Sequence, residues 1–292
     1  MFDPRRLVVL DAIAEYRSFT KAAEALFTTQ PAVSRQIAAL ERELAASLVV
    51  RDSRTVVLTA AGEALVEHAR TLLPAIDAAA REVAAHSARD GGSVRLGAVP
   101  SAITSFIPAA IEALRADRPR VRVRIDEGWG EDLVVRTSRG TLDLAVVSAP
   151  AARGFHRPTV LTNDDFDVWL PGDHHLASRT ELRLADLRDE SWIVAPTQTG
   201  RLEIAAACAA AGFTPRIAAA ASWGSAERLI AAGVGVALAP APTVAPGAGV
   251  VVRPLADGPR RRLVLIGWPG AAGSAVTVDF RRALTAASER FR

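Results

Sequence analysis

The chain has 292 residues, of which 50% are hydrophobic, with one cysteine and a formal net charge of +3 at pH 7. That length predicts more than one domain, and a single cysteine excludes an intrachain disulfide. No apolar run reaches the roughly 18 residues of a membrane span, and residues 1–6 do not lead into the apolar core of a secretion signal. We therefore expect a soluble, cytoplasmic protein with no membrane partner.

Three helices are predicted in the first 44 residues. Thr20 can cap the second and Thr29 the third, because a hydroxyl oxygen accepts hydrogen bonds from the unpaired N–H groups of a first helical turn. Pro31 falls in the first turn of the third helix, where a missing N–H costs little. The apolar positions recur mainly at spacings of three and four residues, and they are Leu7, Leu10 and Ile13, then Ala22, Ala23 and Leu26, then Val33, Ile37, Leu40 and Leu44.

The third helix also has a polar face that its apolar stripe does not occupy. On that face Gln30, Ser34 and Arg35 place an amide, a hydroxyl and a guanidinium within about 1.5 turns. Such groups can bond to base edges and phosphate oxygens when a helix enters the major groove. An ordinary amphipathic helix with a solvated polar face is the alternative. Residues 1–59 carry eight basic and seven acidic side chains, so DNA binding depends on where the charges lie.

Fixed spacings extend beyond this face, through Ala22-Ala23 with Leu26, Gln30 to Ser34, Leu40-Glu41, Arg51, and Leu58-Thr59 with Gly62. The series resembles the amino-terminal winged helix-turn-helix of LysR-type transcriptional regulators. The resemblance implies double-stranded operator or promoter DNA as a partner, a helix-turn-helix at about Phe19 to Ala38, and DNA contacts from Thr29, Gln30, Pro31, Ser34 and Arg35. Where the family usually has Gly-x-x-Leu-Phe, this chain has Ala45, Leu48 and Val49, and the smaller Val49 predicts looser packing beneath the wing.

Residues 51–54 read as the turn of a wing, followed by a short strand at Thr55–Leu58. By the resemblance, the wing approaches the minor groove or its phosphates, and arginine is favoured in narrow minor grooves. We therefore expect Arg51 and Arg54 to contact DNA. The alternative is a surface ion pair of Arg51 with Asp52 or Glu43.

A long helix is predicted from Thr59 to about Ser87. Its apolar residues alternate spacings of four and three, which forms a heptad seam, and a second copy of the helix is the simplest partner. The family resemblance likewise implies a linker helix that dimerises. Pro74 predicts a kink, unless two helices meet there, and the Gly-Gly pair within 88–93 predicts a hinge. The seam residues are Leu65, Ala69, Leu72, Ile76, Ala79 and Val83.

Strands and helices alternate beyond the hinge, which predicts an α/β domain. Its motifs resemble the effector domain of the same family, which has a two-lobed, type 2 periplasmic-binding-protein fold. We expect a DNA-binding domain at 1–59, a linker helix at 60–88 and an effector domain at 91–292, with lobe I at about 93–161 and 267–292 and lobe II at about 162–266. The crossings between lobes are expected near Thr159 to Asp165 and Leu265 to Trp268. The motifs are Gly128 to Leu133, Gly140 to Ala145 and Ala232 to Pro240.

A small ligand is expected in the cleft between the lobes. Ligands of open α/β sheets bind beyond the carboxyl ends of strands, near the N–H groups of helix starts. Each polar candidate has a helix cap or a surface position as its alternative, and Trp129 in a glycine-flanked loop favours a small or planar ligand. The loops expected after these strands are 100–102, 128–130 and 196–200. The predicted effector contacts are Ser101, Ala102, Trp129, Thr197, Gln198, Thr199 and Arg201.

Other constellations indicate no further chemistry. His174 and His175 have no third ligand at metal spacing, so a solvated turn is expected there rather than a zinc site. Gly233 and Gly235 lack the third glycine of a dinucleotide fingerprint, and no Gly-x-Ser-x-Gly elbow is present. Cys208 lies in an apolar run, which predicts a buried structural thiol.

These observations favour a LysR-type transcriptional regulator that binds DNA and responds to a small-molecule effector, without enzymatic activity, cofactor or metal. Its expected form is a homodimer or homotetramer, with RNA polymerase as a candidate partner. Two alternatives on the same two-lobed fold are a solute-binding receptor, which needs an export signal and has no use for the polar face of the third helix, and a cytoplasmic enzyme, for which no catalytic constellation is found.

Overall fold

The structure is a computed structural model that describes residues 2–51, 56–86, 91–155, 157–240 and 247–291. The described residues divide into two units, one made mainly of residues before the expected hinge and the other mainly of residues after it. Arg54 and part of the hinge lie outside the described residues. Within the described ranges, no helix combines the length and the apolar composition that crossing a membrane requires.

Helices make up most of the first unit. Ser18 caps the second helix, because its hydroxyl oxygen accepts the N–H of Lys21 at 3.3 Å, so the prediction that Thr20 is the cap is wrong. Thr29 takes the N-cap position of the third helix, and Pro31 lies in the first turn, as predicted. The elements are α1 (Arg5–Tyr16), α2 (Phe19–Ala25), α3 (Gln30–Leu44), β1 (Val49–Arg51), β2 (Val56–Leu58) and α4 (Ala60–His86).

The apolar stripe of α3 packs in the centre of this unit, as its spacing predicts. Val33, Ile37 and Leu40 are buried in one core with residues of α1 and α2. Val66 and Ala69, near the start of α4, are buried too, and Val66 joins that core. Because the stripe faces inward, the opposite face of α3 is left at the surface.

Glu41 holds the start of the wing hairpin. One of its carboxylate oxygens accepts the N–H groups of Leu48 at 2.8 Å and of Val49 at 3.3 Å. β1 then pairs antiparallel with β2, with Val49 opposite Leu58. Leu48 is buried in the core of the unit, and Val49 is half buried against it. The Leu40-Glu41 motif thus joins the end of α3 to the wing, because a hydrogen bond to a charged acceptor is stronger than one between neutral groups.

Ala45 ends α3 in a left-handed conformation, with φ 50°. A side chain costs about 1–2 kcal/mol in that conformation, whereas glycine adopts it freely. We expect Ala45→Gly to raise the free energy of unfolding by about 1 kcal/mol, measured by urea denaturation followed by circular dichroism. The matched control is Ala38→Gly in the interior of α3, which should lower it by about 1 kcal/mol. Equal effects of the two substitutions would contradict the assignment.

α4 is one continuous helix with Pro74 inside it, so the alternative of two helices is wrong. The start of the expected seam packs within the unit, since Ala69 is buried. Farther along, Leu72, Ile76 and Val83 are 46%, 50% and 71% exposed. We call these three residues the exposed seam, and they leave an apolar stripe at the surface of the chain.

The second unit contains alternating strands and helices, which is the predicted α/β pattern. Its elements are β3 (Ser93–Ala98), α5 (Pro100–Thr104), α6 (Ile107–Asp117), β4 (Arg122–Glu127), α7 (Gly130–Ser138), β5 (Leu144–Ser148), β6 (Thr159–Pro171), β7 (Ser191–Val194), α8 (Gln198–Ala210), β8 (Arg216–Ala220), α9 (Trp223–Ala231), β9 (Ala237–Pro240), β10 (Val250–Arg253), β11 (Arg260–Gly267) and α10 (Ala275–Ser288).

Two long antiparallel strands, β6 and β11, connect the lobes of this unit. In lobe I, β3 pairs in parallel with β4 and β5, and β11 joins β5. The second half of β6 pairs with β9 and β10 in lobe II, which also holds the parallel pair β7 and β8. Because β11 pairs with β5 from Leu263 onward, the second crossing lies before that residue, earlier than the expected Leu265 to Trp268.

Two segments expected to be loops are the first turns of helices. Pro100 to Thr104 forms α5, and α8 begins at Gln198. Thr197 caps α8, because its hydroxyl oxygen accepts the N–H of Gly200 at 3.0 Å. Neither helix start has apolar residues at the three- and four-residue spacings that indicate a helix, so periodicity does not reveal them.

Each lobe has its own apolar core. Phe106 and Phe280 are fully buried in the core of lobe I, and Trp192 and Cys208 are fully buried in that of lobe II. All five tryptophans of the chain lie in this second unit, so tryptophan fluorescence reports on it alone.

Candidate functional site

The polar face of α3 lies at the surface of the first unit. Pro31 and Arg35 are exposed, and Gln30 and Ser34 are half buried. Thr29 is exposed at the N-cap position, although among the described residues its side chain makes no capping hydrogen bond. A helix start presents free N–H groups and the positive end of the helix dipole, which attract phosphate. The five residues therefore form one polar surface that carries hydrogen-bonding groups and positive charge.

The wing is described only in part. Arg51 is the last residue of β1, and its side chain lies outside what the structure describes, as does the whole of Arg54. Glu43, one of the two alternative partners for Arg51, forms an ion pair with Arg6.

Residues from both lobes enclose a cavity of about 60 Å³, which we call the cleft cavity. It lies beyond the carboxyl ends of β3 and β7, where ligands of open α/β sheets bind. Four of the predicted effector contacts line it, namely Ser101, Trp129, Thr197 and Thr199. Ser101 and Trp129 belong to lobe I, and the two threonines belong to lobe II.

The other three predicted contacts lie elsewhere. Ala102 is buried in the core of lobe I, and its N–H bonds to the carbonyl oxygen of Val99 at 3.0 Å. Gln198 and Arg201 line a separate cavity of about 310 Å³ on lobe II. Successive residues of a helix point about 100° apart, so the face of α8 that carries Thr199 into the cleft directs Gln198 and Arg201 away from it.

Three charged residues of the cleft cavity are absent from the sequence-based prediction, namely Glu131, Glu203 and Arg261. Glu131 directly follows the loop that holds Trp129. Glu203 lies four residues after Thr199 on α8, and residues four apart share one face of a helix. The sequence therefore contained a signal for both positions. Arg261 comes from β11, and its position depends on strand pairing that no local pattern reveals.

Two hydrogen bonds cross the cleft. The guanidinium of Arg261 donates from Nη2 to the hydroxyl oxygen of Ser101 at 2.7 Å, and it lies 5.5 Å from the ring centre of Phe166. The hydroxyl of Thr199 donates to a carboxylate oxygen of Glu131. The second bond ties lobe II to lobe I, whereas the first ties the connecting strand β11 to lobe I.

The two carboxyl groups of the cleft cavity titrate in opposite directions. Burial raises the pKa of Glu131, but hydrogen bonds from Thr199 and from backbone N–H groups outweigh it, so the pKa is lowered. Burial raises the pKa of Glu203 above its ordinary value, the charge of Arg261 offsets part of this rise, and the charge of Glu131 adds to it. The cavity therefore contains one firmly ionised carboxylate and one whose charge is unfavourable.

A larger cavity of about 1020 Å³ adjoins the first, and it shares Glu203 and Arg261 with the cleft cavity. Its walls are mainly the alanine face of α8 and the residues around the crossing of β6 and β11. Arg260 pairs with Asp165 there at 3.0 Å. The other walls include Asn163, Phe166, Ala206, Ala207, Ala210 and Arg262.

The structure brings a third group to the histidine pair of lobe II, contrary to the sequence-based expectation. Ligand atoms of His174, His175 and Glu190 lie within 4.8 Å of one another. However, Nδ1 of His174 accepts the N–H of Leu176 at 3.3 Å, and its Nε2 lies 3.3 Å from Glu190. The tautomer that satisfies both contacts has its proton on Nε2, whereas a metal needs a lone pair there. The geometry thus favours a hydrogen-bonded turn.

Cys208 is fully buried, and burial raises the pKa of its thiol to about 11. Because the thiolate is the reactive form, we expect the native protein to react with Ellman's reagent at pH 8 at least about a hundredfold more slowly than the urea-unfolded protein, measured by absorbance at 412 nm. The rate should rise about tenfold per pH unit below pH 11. Cys208→Ser supplies the blank, and rapid labelling of the folded chain would contradict this placement.

Family models match both units of the chain. Residues 4–63 match the bacterial regulatory helix-turn-helix protein of the lysR family, and residues 87–289 match the LysR substrate binding domain. The probable hydrogen peroxide-inducible genes activator of Mycobacterium avium is 31% identical over 232 residues, which cover 78% of this chain and 75% of that protein. The HTH-type transcriptional regulator AlsR of Bacillus subtilis (strain 168) is 31% identical over 241 residues, 81% of this chain and 80% of that protein.

Solved structures support the fold. The full-length regulator CbnR, crystallised with its target DNA, superposes with a TM-score of 0.70 over 98% of this chain and 100% of that chain, at 22% identity. Together with the family matches, this similarity confirms the predicted fold class: a helix-turn-helix domain followed by an α/β effector-binding domain.

Proposed function

Because the chain belongs to the LysR family of bacterial transcriptional regulators, whose members are not enzymes, we propose that the polar face of α3 reads its operator DNA. The observation that carries this proposal is the division of α3 into two faces. Val33, Ile37 and Leu40 are buried, whereas Gln30 to Arg35 presents polar groups at the surface. Thr29, Pro31 and Ser34 position the helix start against phosphate and base edges, and Arg35 contributes a guanidinium.

Arg35→Ala tests this proposal. A bidentate contact of arginine with a base is worth about 1–3 kcal/mol, so we expect operator affinity to fall by about 5- to 150-fold. Ser34→Ala should weaken binding in the same direction. The operator is first located by footprinting the full-length protein on DNA upstream of its own gene, and the affinities are then measured by fluorescence anisotropy.

The matched control removes an exposed arginine from the other unit. Arg282 of α10 has a side chain that is 71% exposed. Arg282→Ala should leave operator affinity within about twofold of the wild-type value, because a single exposed charge outside the DNA surface contributes little. Undiminished affinity in both the Arg35 and the Ser34 variants would reject α3 as the reading helix.

The wing supplies the second part of the proposed DNA surface. Arg51 ends β1, whose start Glu41 fastens to the end of α3, and Arg54 follows three residues later in the sequence, outside the described residues. Arginine side chains are attracted to the negative potential of a narrow minor groove. We place the DNA-binding domain, which contains α3 and the wing, at 1–59. The linker helix then covers 60–88 and the effector domain covers 91–292.

We propose the cleft cavity as the effector site. Ser101, Trp129, Thr197 and Thr199 line it, and both lobes contribute to it. Ala102 stays outside this proposal, because its side chain is in the core. Gln198 and Arg201 mark the neighbouring cavity of lobe II as a weaker candidate. An effector that favours one arrangement of the lobes shifts the population of that arrangement, and the linked DNA-binding units change their fit to the promoter.

The exposed seam of α4 suggests how copies of this chain associate. We propose a cytoplasmic homodimer, or a homotetramer built from two dimers, in which two recognition helices meet operator half-sites at a set spacing. RNA polymerase is the further partner that we propose, on the basis of the family alone. The apolar exposure of Leu72, Ile76 and Val83 supports the dimer.

Several relatives are named for induction by hydrogen peroxide, but we propose a different signal for this chain. An intrachain disulfide requires two cysteines, whereas the chain has one. Cys208 is also buried, with a raised pKa, and both features suppress the thiolate that peroxide oxidises. The polar lining of the cleft cavity instead suits a bound effector.

A further inference from the structure

The charges that meet at the cleft cavity do not balance. Glu131 and Glu203 bring two carboxylates, and Arg261 brings one guanidinium, into the lining of about 60 Å³ of space. With all three ionised, the lining has a net charge of −1. A charge in a partly buried site is unfavourable unless it is paired. A ligand that brings one more positive charge would therefore be stabilised in this cavity.

Glu203 is the carboxylate for which no hydrogen bond or ion pair is found among the residues that the structure describes. The charge of Arg261 acts on it from nearby. Glu131, by contrast, accepts the hydroxyl of Thr199. Burial and the nearby Glu131 raise the pKa of Glu203, which is the signature of a carboxylate that a cation would stabilise.

Two indole rings complete the lining. Trp129 and Trp223 both border the cleft cavity, and Trp223 packs on Trp169 with ring centres 6.2 Å apart. The face of an indole attracts a positive charge, with an energy that grows as water is excluded. Carboxylates together with aromatic faces suit an ammonium group, which has three donors and no acceptor.

We propose that the effector is a small molecule with a primary ammonium group, held by Glu131 and Glu203 against the indole rings of Trp129 and Trp223. This inference rests on the proposed function, in which the cleft cavity is the effector site. The cavity has room for only a few non-hydrogen atoms, since one water needs about 10–15 Å³ of such volume. A small amine with one positive charge balances the charge of the lining. A small amino acid adds no net charge, but its ammonium can bind the two glutamates while its carboxylate binds Arg261, which lies at the same cavity.

Three probes of nearly equal size show which charged group of the ligand the cavity recognises. Glycine has both charged groups, ethylamine has only the ammonium, and acetate has only the carboxylate. We expect glycine and ethylamine to bind the full-length protein saturably, with dissociation constants below about 1 mM, by calorimetry and by tryptophan fluorescence. Acetate should bind at least tenfold more weakly than glycine. Binding of acetate equal to that of glycine, or binding of none of the three, would overturn the proposal.

Neutral, isosteric variants locate the bound ammonium. Glu203→Gln and Glu131→Gln should each weaken binding of glycine and ethylamine at least tenfold. Glu112→Gln, on the exposed face of α6 and outside the cavity lining, makes the same change of charge and should have no effect. If one cavity variant fails to fold, as judged by circular dichroism, the other carries the test. Undiminished binding in a folded cavity variant would contradict the proposed site.

Operator binding by the same protein preparations separates this inference from the proposed function. If the wild-type chain binds its operator but no amine, the ligand class is wrong and the regulator remains. If the chain binds amines but no DNA, the assignment of α3 fails instead. We expect Glu203→Gln to keep its operator affinity while losing the response of that affinity to glycine.

Discussion

Replacing Ile76 by arginine is expected to split the proposed dimer and to lower operator affinity by about 10²- to 10⁴-fold. Ile76 is 50% exposed in the middle of the exposed seam. If two copies of α4 pack along that seam, the substitution places two like charges in an apolar interface, where an unpaired charge is strongly unfavourable. Loss of the dimer removes the gain in affinity that comes from binding two half-sites at once.

Analytical ultracentrifugation measures the assembly, and fluorescence anisotropy on the footprinted operator measures the affinity. The control is Thr71→Arg, an exposed position about 140° around the same helix from Ile76. It adds the same charge outside the seam, so the variant should remain a dimer with nearly unchanged affinity. A dimeric Ile76→Arg protein with full affinity would show that α4 does not form the interface.

The helices that the sequence predicts well are those whose burial depends on one local period. The stripe of Val33, Ile37 and Leu40 is visible in the sequence because a helix repeats every 3.6 residues, and the structure buries all three. The seam of α4 was predicted only in part. Its residues do lie on one helix, yet Ala69 is buried within the first unit while Leu72 and Ile76 are exposed. Periodicity identifies an apolar face but does not identify what covers it.

The cleft shows where sequence-based prediction ends. Ser101 and Thr199 could be identified from the ends of predicted strands, and the structure places both at the cleft cavity. Arg261 could not, because it reaches Ser101 only through the register of β11 between β5 and β6. Ala102 illustrates the opposite error. The residue was expected in a loop, but it lies in α5, so its side chain turns into the core.

A buried ion pair in lobe I is expected to give the largest effect on stability. The side chain of Asp143 is 3% exposed and that of Arg95 is 21% exposed, with Nη2 of the arginine 2.9 Å from Oδ1 of the aspartate. Oδ2 of Asp143 also accepts the backbone N–H of Arg95 at 2.7 Å. In the backbone, the N–H of Asp143 bonds to the carbonyl of Arg95 at 2.9 Å. The pair therefore fastens β3 to the chain that enters β5.

We expect Asp143→Ala to lower the free energy of unfolding of the second unit by about 3–5 kcal/mol, because it leaves the Arg95 guanidinium without its carboxylate in a poorly solvated site. That loss is a large share of the roughly 5–15 kcal/mol that stabilises a typical domain. Urea unfolding followed by tryptophan fluorescence measures it, since all five tryptophans lie in this unit.

Asp165→Ala is the matched control, because it breaks an aspartate–arginine pair whose side chains are 67% and 81% exposed. An exposed pair contributes only about 0–1 kcal/mol, so the two variants should differ by several kcal/mol although each removes one carboxylate bound to arginine. Asp143→Asn keeps the shape and one acceptor oxygen, and it should fall between the two. Equal stability of the Asp143 and Asp165 alanine variants would mean that lobe I does not depend on the buried pair, and that burial does not set the strength of these contacts.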